Sequence, residues 1–431
     1  MKLPSAVPEN MLPRGVKDFL PVKAAKIEYL KHTLLDVFAQ WGFRPVMPPS
    51  LEYLHVLEKA LGAGLRERTF RFDDRQGGHL VAIPPDITPQ VARIVATRMR
   101  DFPLPLRLCY AGRVMRHAEQ QTGKDREILQ AGAELIGLQS PEADAEMIAM
   151  AVEGLNALGA RKFTVDIGQV EFFRGVMEGL SLSGNLAQDV ENAIGHKDSS
   201  GLQALLAEAP ISAQAREEIS ILPRLFGGRE VLDRAASVVR NERSRRALDN
   251  LARVLDILAV YGVEDHVTID LGEIRGLDYH TGVTFQGFLP GLGRAVCSGG
   301  RYDNLTARYG FPAPATGFAF NILNLLFALE GELDERTRRS TDVLIFQSGD
   351  DKVLAQRLAR LLRAAGFSAA RDIYPRELDE TLEYARKMSF RFVMTLGREG
   401  EDVRIIRTAD GISLQADLQD ILAGDFAFLT D

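Results

Sequence analysis

A chain of 431 residues exceeds what one hydrophobic core usually organises, and its 46% apolar and 26% charged content is that of a soluble globular protein, so two or three domains are expected. The 52 Lys and Arg against 59 Asp and Glu leave a formal charge of −7, which argues against a protein whose main task is to wrap nucleic acid. Cys109 and Cys297 have neither metal-ligand nor redox spacing, no run approaches ~18 uninterrupted apolar residues, and the start lacks an apolar signal segment; a Cys-rich metal site is excluded and a cytoplasmic, non-membrane location is expected.

Met11 to Pro21 is a Pro- and Gly-punctuated opening loop. From Val22 to Trp41 the apolar residues Ile27, Leu30, Leu34, Leu35 and Phe38 recur at helical spacing, which predicts a long amphipathic helix ended by Gly42. An extended segment from Phe43 and a helical piece from Leu54 to Leu61 follow. Arg68–Asp73 and His79–Ile83 read as a hairpin turning at Gly77 and Gly78. Thr88 has the chemistry of a helix N-cap and Pro89 that of a first helical residue. Asp86, at the strand-to-helix junction, can cap the turn or point at a bound amine.

Strands are expected over Leu106–Val114 and Glu127–Leu138, joined by a polar loop. In the second, Gln130, Gly132 and Glu134 lie two residues apart and share a face, while Leu129, Ala131, Ala133 and Leu135 supply the opposite, core face. Two polar groups flanking a glycine make either a solvated strand face or the floor of a pocket for a small, positively charged ligand. The arginine-rich stretch through Arg98, Arg100, Arg107, Arg113 and Arg116 lacks the interleaved aromatics of a nucleic-acid groove.

A helix over Ala143–Leu158 and a strand over Phe163–Gly168 precede a segment of almost uniformly helical pattern, and strand character resumes at His266–Leu271. Next comes Glu273-Ile-Arg-Gly-Leu-Asp-Tyr-His-Thr-Gly282, then a strand over Val283–Phe288. Arg275 between apolar segments is read three ways: a water-facing hairpin charge, an ion pair with Asp278, or a ligand-facing cation. Ser298-Gly-Gly-Arg-Tyr-Asp303 reads as a Gly-bearing turn, and Thr316 to Ile322 leads into a helix through Leu329. The chain thus divides into a sheet core in two parts (1–171 and 265–330), a helical insertion (172–264), a charged linker (331–341) and a small α/β domain (342–431).

These motifs together resemble the histidyl-tRNA synthetases among class II aminoacyl-tRNA synthetases. Ile274 to Gly282 and Ser298 to Asp303 resemble that family's signatures, Arg113 to Glu134 its second class motif, Met11 to Pro49 its opening loop and first motif, and the carboxy-terminal domain a degenerate anticodon-binding domain. The resemblance implies an α+β fold: a class II antiparallel sheet core with a helical insertion, plus a small C-terminal α/β domain. It also implies a histidine pocket. Asp86 stands where a glutamate meets the ligand's ammonium, Gln130 and Glu134 match residues that hold the amine and ring, Arg275 matches the arginine near the carboxylate, and Tyr279 a pocket aromatic. His280 stands where tyrosine is usual. Arg113, Arg116, Arg126 and Arg301 are expected as polar loop contacts.

Two departures bear on activity. The second motif's Phe-Arg-x-Glu is Met115-Arg-His-Ala118 here, and Asn324 replaces the third motif's arginine. A phosphoryl-bearing transition state needs cationic compensation, so adenylate formation is not expected. A synthetase-like chain so altered, carrying Asp86 to Arg93 and Ala131 to Gly137, resembles the regulatory subunits of ATP phosphoribosyltransferase. That implies no catalytic residue, cofactor or metal of its own, a short-form catalytic transferase as partner in the first step of L-histidine biosynthesis, a dimer through the core, and L-histidine as effector. The alternatives are a histidyl-tRNA synthetase and another non-catalytic paralogue.

Overall fold

Helix α1 (Pro21–Gln40) forms where the spacing predicts it: Pro lies in its first turn, and Ile27, Leu30, Leu34, Val37 and Phe38 make one buried stripe. Gly42 turns the chain out of it at φ +82°. In this computed structural model, residues 11–117, 125–178, 182, 184–274, 279–337, 340–348, 352–397 and 402–429 are described, and counts below are of these residues. Two compact units divide between Asp334 and Glu335.

After β1 (Arg44–Pro45) come β2 (Glu52–Tyr53), α2 (Leu54–Leu57), α3 (Ala63–Glu67), β3 (Phe70–Asp73) and β4 (Leu80–Ile83). The last three strands form a small antiparallel sheet in the order β2-β4-β3. Helix α4 (Thr88–Arg98) begins at Thr88 and not after it, so Thr88 is no N-cap; its hydroxyl is used elsewhere. Then follow β5 (Leu106–Met115), β6 (Glu127–Ile136), α5 (Pro141–Ala157), capped by the Ser140 side chain, and β7 (Thr164–Gln169).

The insertion comprises α6 (Val170–Met177), α7 (Gly184–Gly195), α8 (Ser199–Ala207), α9 (Ala213–Ile221), β8 (Phe226–Gly227), α10 (Glu230–Val238) and α11 (Glu242–Tyr261). The two-residue β8 was not expected in so helical a pattern; it pairs with β9 (Val267–Asp270) and fastens the insertion to the edge of the main sheet. Helix α11 starts within the charge-rich run Arg240–Arg246, where Asn241 caps it through a 2.7 Å bond from the Ser244 amide.

The first unit continues with β10 (Val283–Phe288), β11 (Cys297–Arg301), β12 (Ala315–Asn321) and α12 (Ile322–Ala328), and α13 (Glu330–Thr337) spans the boundary between the units. The expected turn at Ser298–Arg301 is therefore strand β11, in the middle of the sheet. Its glycines serve close packing and not reversal: a Cβ on Gly300 would lie 2.6 Å from the Val283 carbonyl. The stretch expected as a charged linker is helical from Glu330 to Thr337.

Nine strands run in the order β1-β5-β6-β12-β11-β10-β7-β9-β8, antiparallel in the centre. Residues paired across antiparallel strands point to the same face. The register therefore assigns one face to Gly112, Gln130, Gly132, Glu134, Gly317, Ala319, Asn321, Ser298, Gly300, Thr284, Gln286 and Gly168. The other face, with Ala131, Ala133, Leu135, Phe318, Phe320 and Phe285, joins α1 and α5 in the main core. No helix is long and apolar enough to cross a membrane among the described residues.

In the second unit β13 (Thr341–Gln347), α14 (Val353–Ala364), β14 (Ala369–Arg371), α15 (Leu378–Lys387), β15 (Phe390–Leu396), β16 (Asp402–Arg407), β17 (Ser413–Asp417) and α16 (Leu418–Ala423) build a five-stranded sheet, β14-β13-β15-β16-β17. Its first pairings are parallel and its last two antiparallel. The polar, exposed β17 carries no apolar run and gave no sequence signal.

Candidate functional site

Strand β6 sets Glu134 into the sheet with no solvent exposure. Its Oε1 accepts hydrogen bonds from Thr88 Oγ1 at 2.6 Å and Tyr110 Oη at 3.1 Å, and Oε2 accepts one from Tyr302. Space for the carboxylate exists only because position 317 is glycine; a Cβ there would overlap it. Burial pushes the Glu134 carboxyl up to about 8, the nearby Asp86 charge adds to this, and the three hydroxyls pull it back. Glu134 makes no ion pair among the described residues. The site holds a carboxyl that ordinary solution conditions leave partly protonated and that a ligand donor or cation would ionise.

Asp86 lies where β4 has ended and α4 begins. Its Oδ1 accepts from Gln130 Nε2 and from the Ile87 amide, each at 3.0 Å, so it caps its own turn and also faces the β6 pocket. Gln130, 8% exposed, spends its amide on Asp86 and leaves a buried Oε1 unpartnered among the described residues. Arg116 donates to the Pro85 carbonyl at 2.7 Å and stands 4.0 Å from Asp86, tying the polar loop to this corner. Gln130 and Glu134 share a face as the alternation in β6 predicts, and Asp86 joins them from the start of α4.

Tyr279 enters the same pocket. Its ring lies 5.4 Å from that of Tyr302, and its buried hydroxyl faces the Thr88 side chain. Burial, with the Glu134 and Asp86 charges, holds its pKa well above the usual range, so it stays a neutral donor. His280 is turned elsewhere: Nδ1 lies 3.2 Å from the Arg301 carbonyl, which assigns the proton to Nδ1. Burial pushes its pKa down to about 4, which keeps the imidazole neutral. Arg275 and Asp278 lie outside the described residues.

The expected loop arginines separate. Arg301 is no loop contact: it is 6% exposed, donates to Asp144 Oδ2 at 3.0 Å, brings Nη2 to an ion-pair distance of 2.9 Å from Oδ1, and also reaches Asp303 at 3.1 Å and the Leu138 carbonyl at 3.2 Å. As part of central strand β11 it fastens α5 to the sheet. Arg113 pairs with Glu127 at 2.7 Å on the strand edge, and Arg126 lies over the Phe70 ring at 5.9 Å with its amide bonded to Gly15.

Beside the carboxylate corner is a cleft of 250 Å³ whose lining includes Arg68, Arg116, Arg294 and Asn324 together with the acids Asp125 and Glu127. Asn324 commits its amide to the Ala295 carbonyl at 2.7 Å, a structural bond that offers no cation to a phosphate. Ala118 lies outside the described residues. Among the described residues no cluster of His, Cys, Asp and Glu could hold a metal ion.

Thr88, Tyr110 and Tyr302 are the pocket residues the sequence reading missed. Thr88 was assigned to capping, Tyr110 sits in an apolar strand, and Tyr302 follows two glycines that imitate a turn. Tyr110 falls opposite Gly132 only once β5 and β6 pair, so no local signal marked it.

The histidyl-tRNA synthetase family model matches residues 15–325. With 22% identity and a TM-score of 0.79, a histidyl-tRNA synthetase from a Nostoc species shares the fold over 96% of this chain and 98% of its own. Sheet, insertion and carboxylate pocket define a class II aminoacyl-tRNA synthetase-like protein. Sequence comparison narrows this. An ATP phosphoribosyltransferase regulatory subunit from Syntrophotalea carbinolica is 66% identical over 420 residues, 97% of this chain and 98% of the relative. One from Geobacter sulfurreducens is 56% identical over 94% of this chain and 93% of its own. The structure of an ATP phosphoribosyltransferase regulatory subunit/histidyl-tRNA synthetase from Bacillus halodurans has a TM-score of 0.79 at 28% identity, covering 91% and 99% of the two chains. The chain belongs to the ATP phosphoribosyltransferase regulatory subunit family.

Proposed function

We propose that this chain is non-catalytic by itself, assembles in the cytoplasm with a short-form ATP phosphoribosyltransferase catalytic chain, and binds L-histidine as the feedback effector of the first step of histidine biosynthesis. The observation that carries the assembly role is the 66% identity to a regulatory subunit along nearly the whole of both chains. The effector role is supported by the convergence of Glu134, Asp86 and Gln130 beside the Tyr279 hydroxyl, since a cationic ammonium and an imidazole N–H are the groups that the three acceptors would take. The absence of catalysis is supported by Asn324, whose amide serves the Ala295 carbonyl and brings no charge to a phosphate. Self-association through the core is supported by a run of exposed apolar side chains, Met47, Leu51, Tyr53, Phe72 and Leu80, within one stretch of the first unit.

The test is co-purification with the short catalytic chain, followed by its transferase assay with and without this protein and across a histidine titration. The expected result is a stable complex whose activity depends on this chain and falls as histidine rises. Histidine-dependent pyrophosphate exchange by the protein alone would favour a synthetase instead.

A further inference from the structure

Among the described residues, every hydrogen-bond partner of the buried Glu134 carboxyl is a hydroxyl. A hydroxyl both donates and accepts, whereas a lysine, an arginine or a backbone amide only donates. The shell therefore fits either protonation state of the acid. When Glu134 is ionised, Thr88 and Tyr110 both donate to Oε1 and Tyr302 donates to Oε2. When it is neutral, three oxygens can close a ring: Thr88 Oγ1 lies 2.6 Å from Oε1, Oε1 lies 3.1 Å from Tyr110 Oη, and Tyr110 Oη lies 3.4 Å from Thr88 Oγ1, a contact in which either atom can donate. A proton on Oε1 points at Tyr110, the Tyr110 hydroxyl turns to Thr88, and Thr88 keeps its bond to Oε1. Neither state strands a buried donor of these four side chains, so the penalty that usually locks a buried carboxyl into one form is absent.

Charge then decides which state the empty pocket holds. Glu134 is fully buried and makes no ion pair among the described residues. Of Thr88, Tyr110, Tyr302 and Asp86, the neighbours that act on it, only Asp86 is charged, and its charge is negative. Tyr110 from β5, Tyr302 after β11 and Tyr279 before β10 are held neutral by burial, well above the usual tyrosine range. Gly317 on β12 brings no charge, Gln130 on β6 is neutral, and His280 is turned to the Arg301 carbonyl. The nearby cations act elsewhere: Arg116 stands 4.0 Å from Asp86, and the charge of Arg308 is felt by Tyr279. Burial and Asp86 accordingly place the Glu134 carboxyl at about 8.

We infer that the pocket takes its effector in exchange for the Glu134 proton, so that histidine feedback strengthens as pH rises through the neutral range. This rests on histidine being the ligand of the Glu134 pocket. Oε2 has one hydroxyl donor against two at Oε1, so it has room for a ligand N–H. That donor, with the ligand's positive charge, supplies what the empty pocket lacks, and the carboxyl ionises. One ligand enters, one proton leaves to the buffer, and no bond of the ligand is made or broken. The sign follows from linkage: the empty pocket holds below about pH 8 a proton that the filled pocket lacks, so affinity is full above that value and falls as pH drops.

The test is calorimetry of the full chain with L-histidine at pH 7 and pH 8, in phosphate and in Tris, two buffers whose heats of protonation differ. The wild type should release close to one proton per histidine at pH 7 and bind about fivefold more weakly at pH 7 than at pH 8. Glu134→Gln should bind without that release and without that pH dependence; the ligand's own ionisations are common to both proteins and cancel in the comparison. Should Glu134→Gln fail to bind, Tyr302→Phe decides: loss of a donor to the ionised form should move the levelling-off of affinity to higher pH than in the wild type. Histidine binding with equal heats in the two buffers, equal affinity at the two pH values, or undiminished proton release by Glu134→Gln overturns the inference and leaves the effector reading intact. No calorimetric binding at either pH removes the effector reading and this inference with it.

Discussion

Thr88 and Glu134, 46 residues apart in the chain, meet through a 2.6 Å hydrogen bond in which the hydroxyl that would have capped α4 donates to a fully buried carboxylate. The helix start is thereby locked to the sheet, and the carboxylate is oriented toward the corner shared with Asp86. Two more hydroxyls complete its shell, so the pocket is organised around one acid and not around an ion pair.

Stability should follow the Glu134 proton. The folded carboxyl titrates near 8 against 4.5 in the unfolded chain, so between these values the folded state holds a proton that the unfolded state has lost. This contribution is whole below pH 4.5, declines as pH rises and is gone above about 8. Glu134→Gln, which cannot ionise, should show a flatter melting temperature across that window than the wild type when both are scanned by calorimetry.

Removing one hydroxyl from the shell should push the acid further. Tyr302→Phe leaves Oε2 without its donor and is expected to cost about 1–3 kcal/mol in denaturant unfolding. It should also move the Glu134 carboxyl titration, followed by carbon-detected NMR, above the wild-type value, because the lost bond favoured the ionised form.

Arg301 is a different kind of residue from those in the pocket. Arg301→Met would strand the buried carboxylate of Asp144, at 2% exposure, and cost about 3–5 kcal/mol by equilibrium unfolding. Arg301→Lys should recover only part of this, since a single ammonium cannot reproduce the two-pronged contact with Asp144.

Gly132→Ala tests the floor of the pocket. The new methyl would lie 2.6 Å from both the Phe318 carbonyl and the Tyr110 hydroxyl, so about 1–3 kcal/mol of stability and the calorimetric histidine signal should be lost together.

Much of this was legible locally. The i, i+2 placement of Gln130, Gly132 and Glu134 identified the polar face, and the apolar residues between them identified the core. Asp86 was legible from its place between strand and helix. What stayed hidden depends on pairings distant in sequence. Ser298 to Arg301 has the composition of a turn and becomes a central strand only because β10 and β12 close on both sides of it. Arg301 then moves from a surface expectation to a buried clamp, and Tyr302 from a loop aromatic to a donor for Glu134. Strand β8 is two residues long and carries no periodicity at all.

The row of small residues that crosses the sheet, Gly112, Gly132, Gly317, Gly300 and Gly168, bears on how this pocket can change over evolutionary time. A surface made of main-chain atoms presents the same amide and carbonyl outline whatever the neighbouring sequence, and any side chain added there collides before it can contribute. Ligand preference can therefore drift only at the walls, through residues such as Asp86, Gln130 and Tyr279, while the depth of the cavity is inherited unaltered with the backbone.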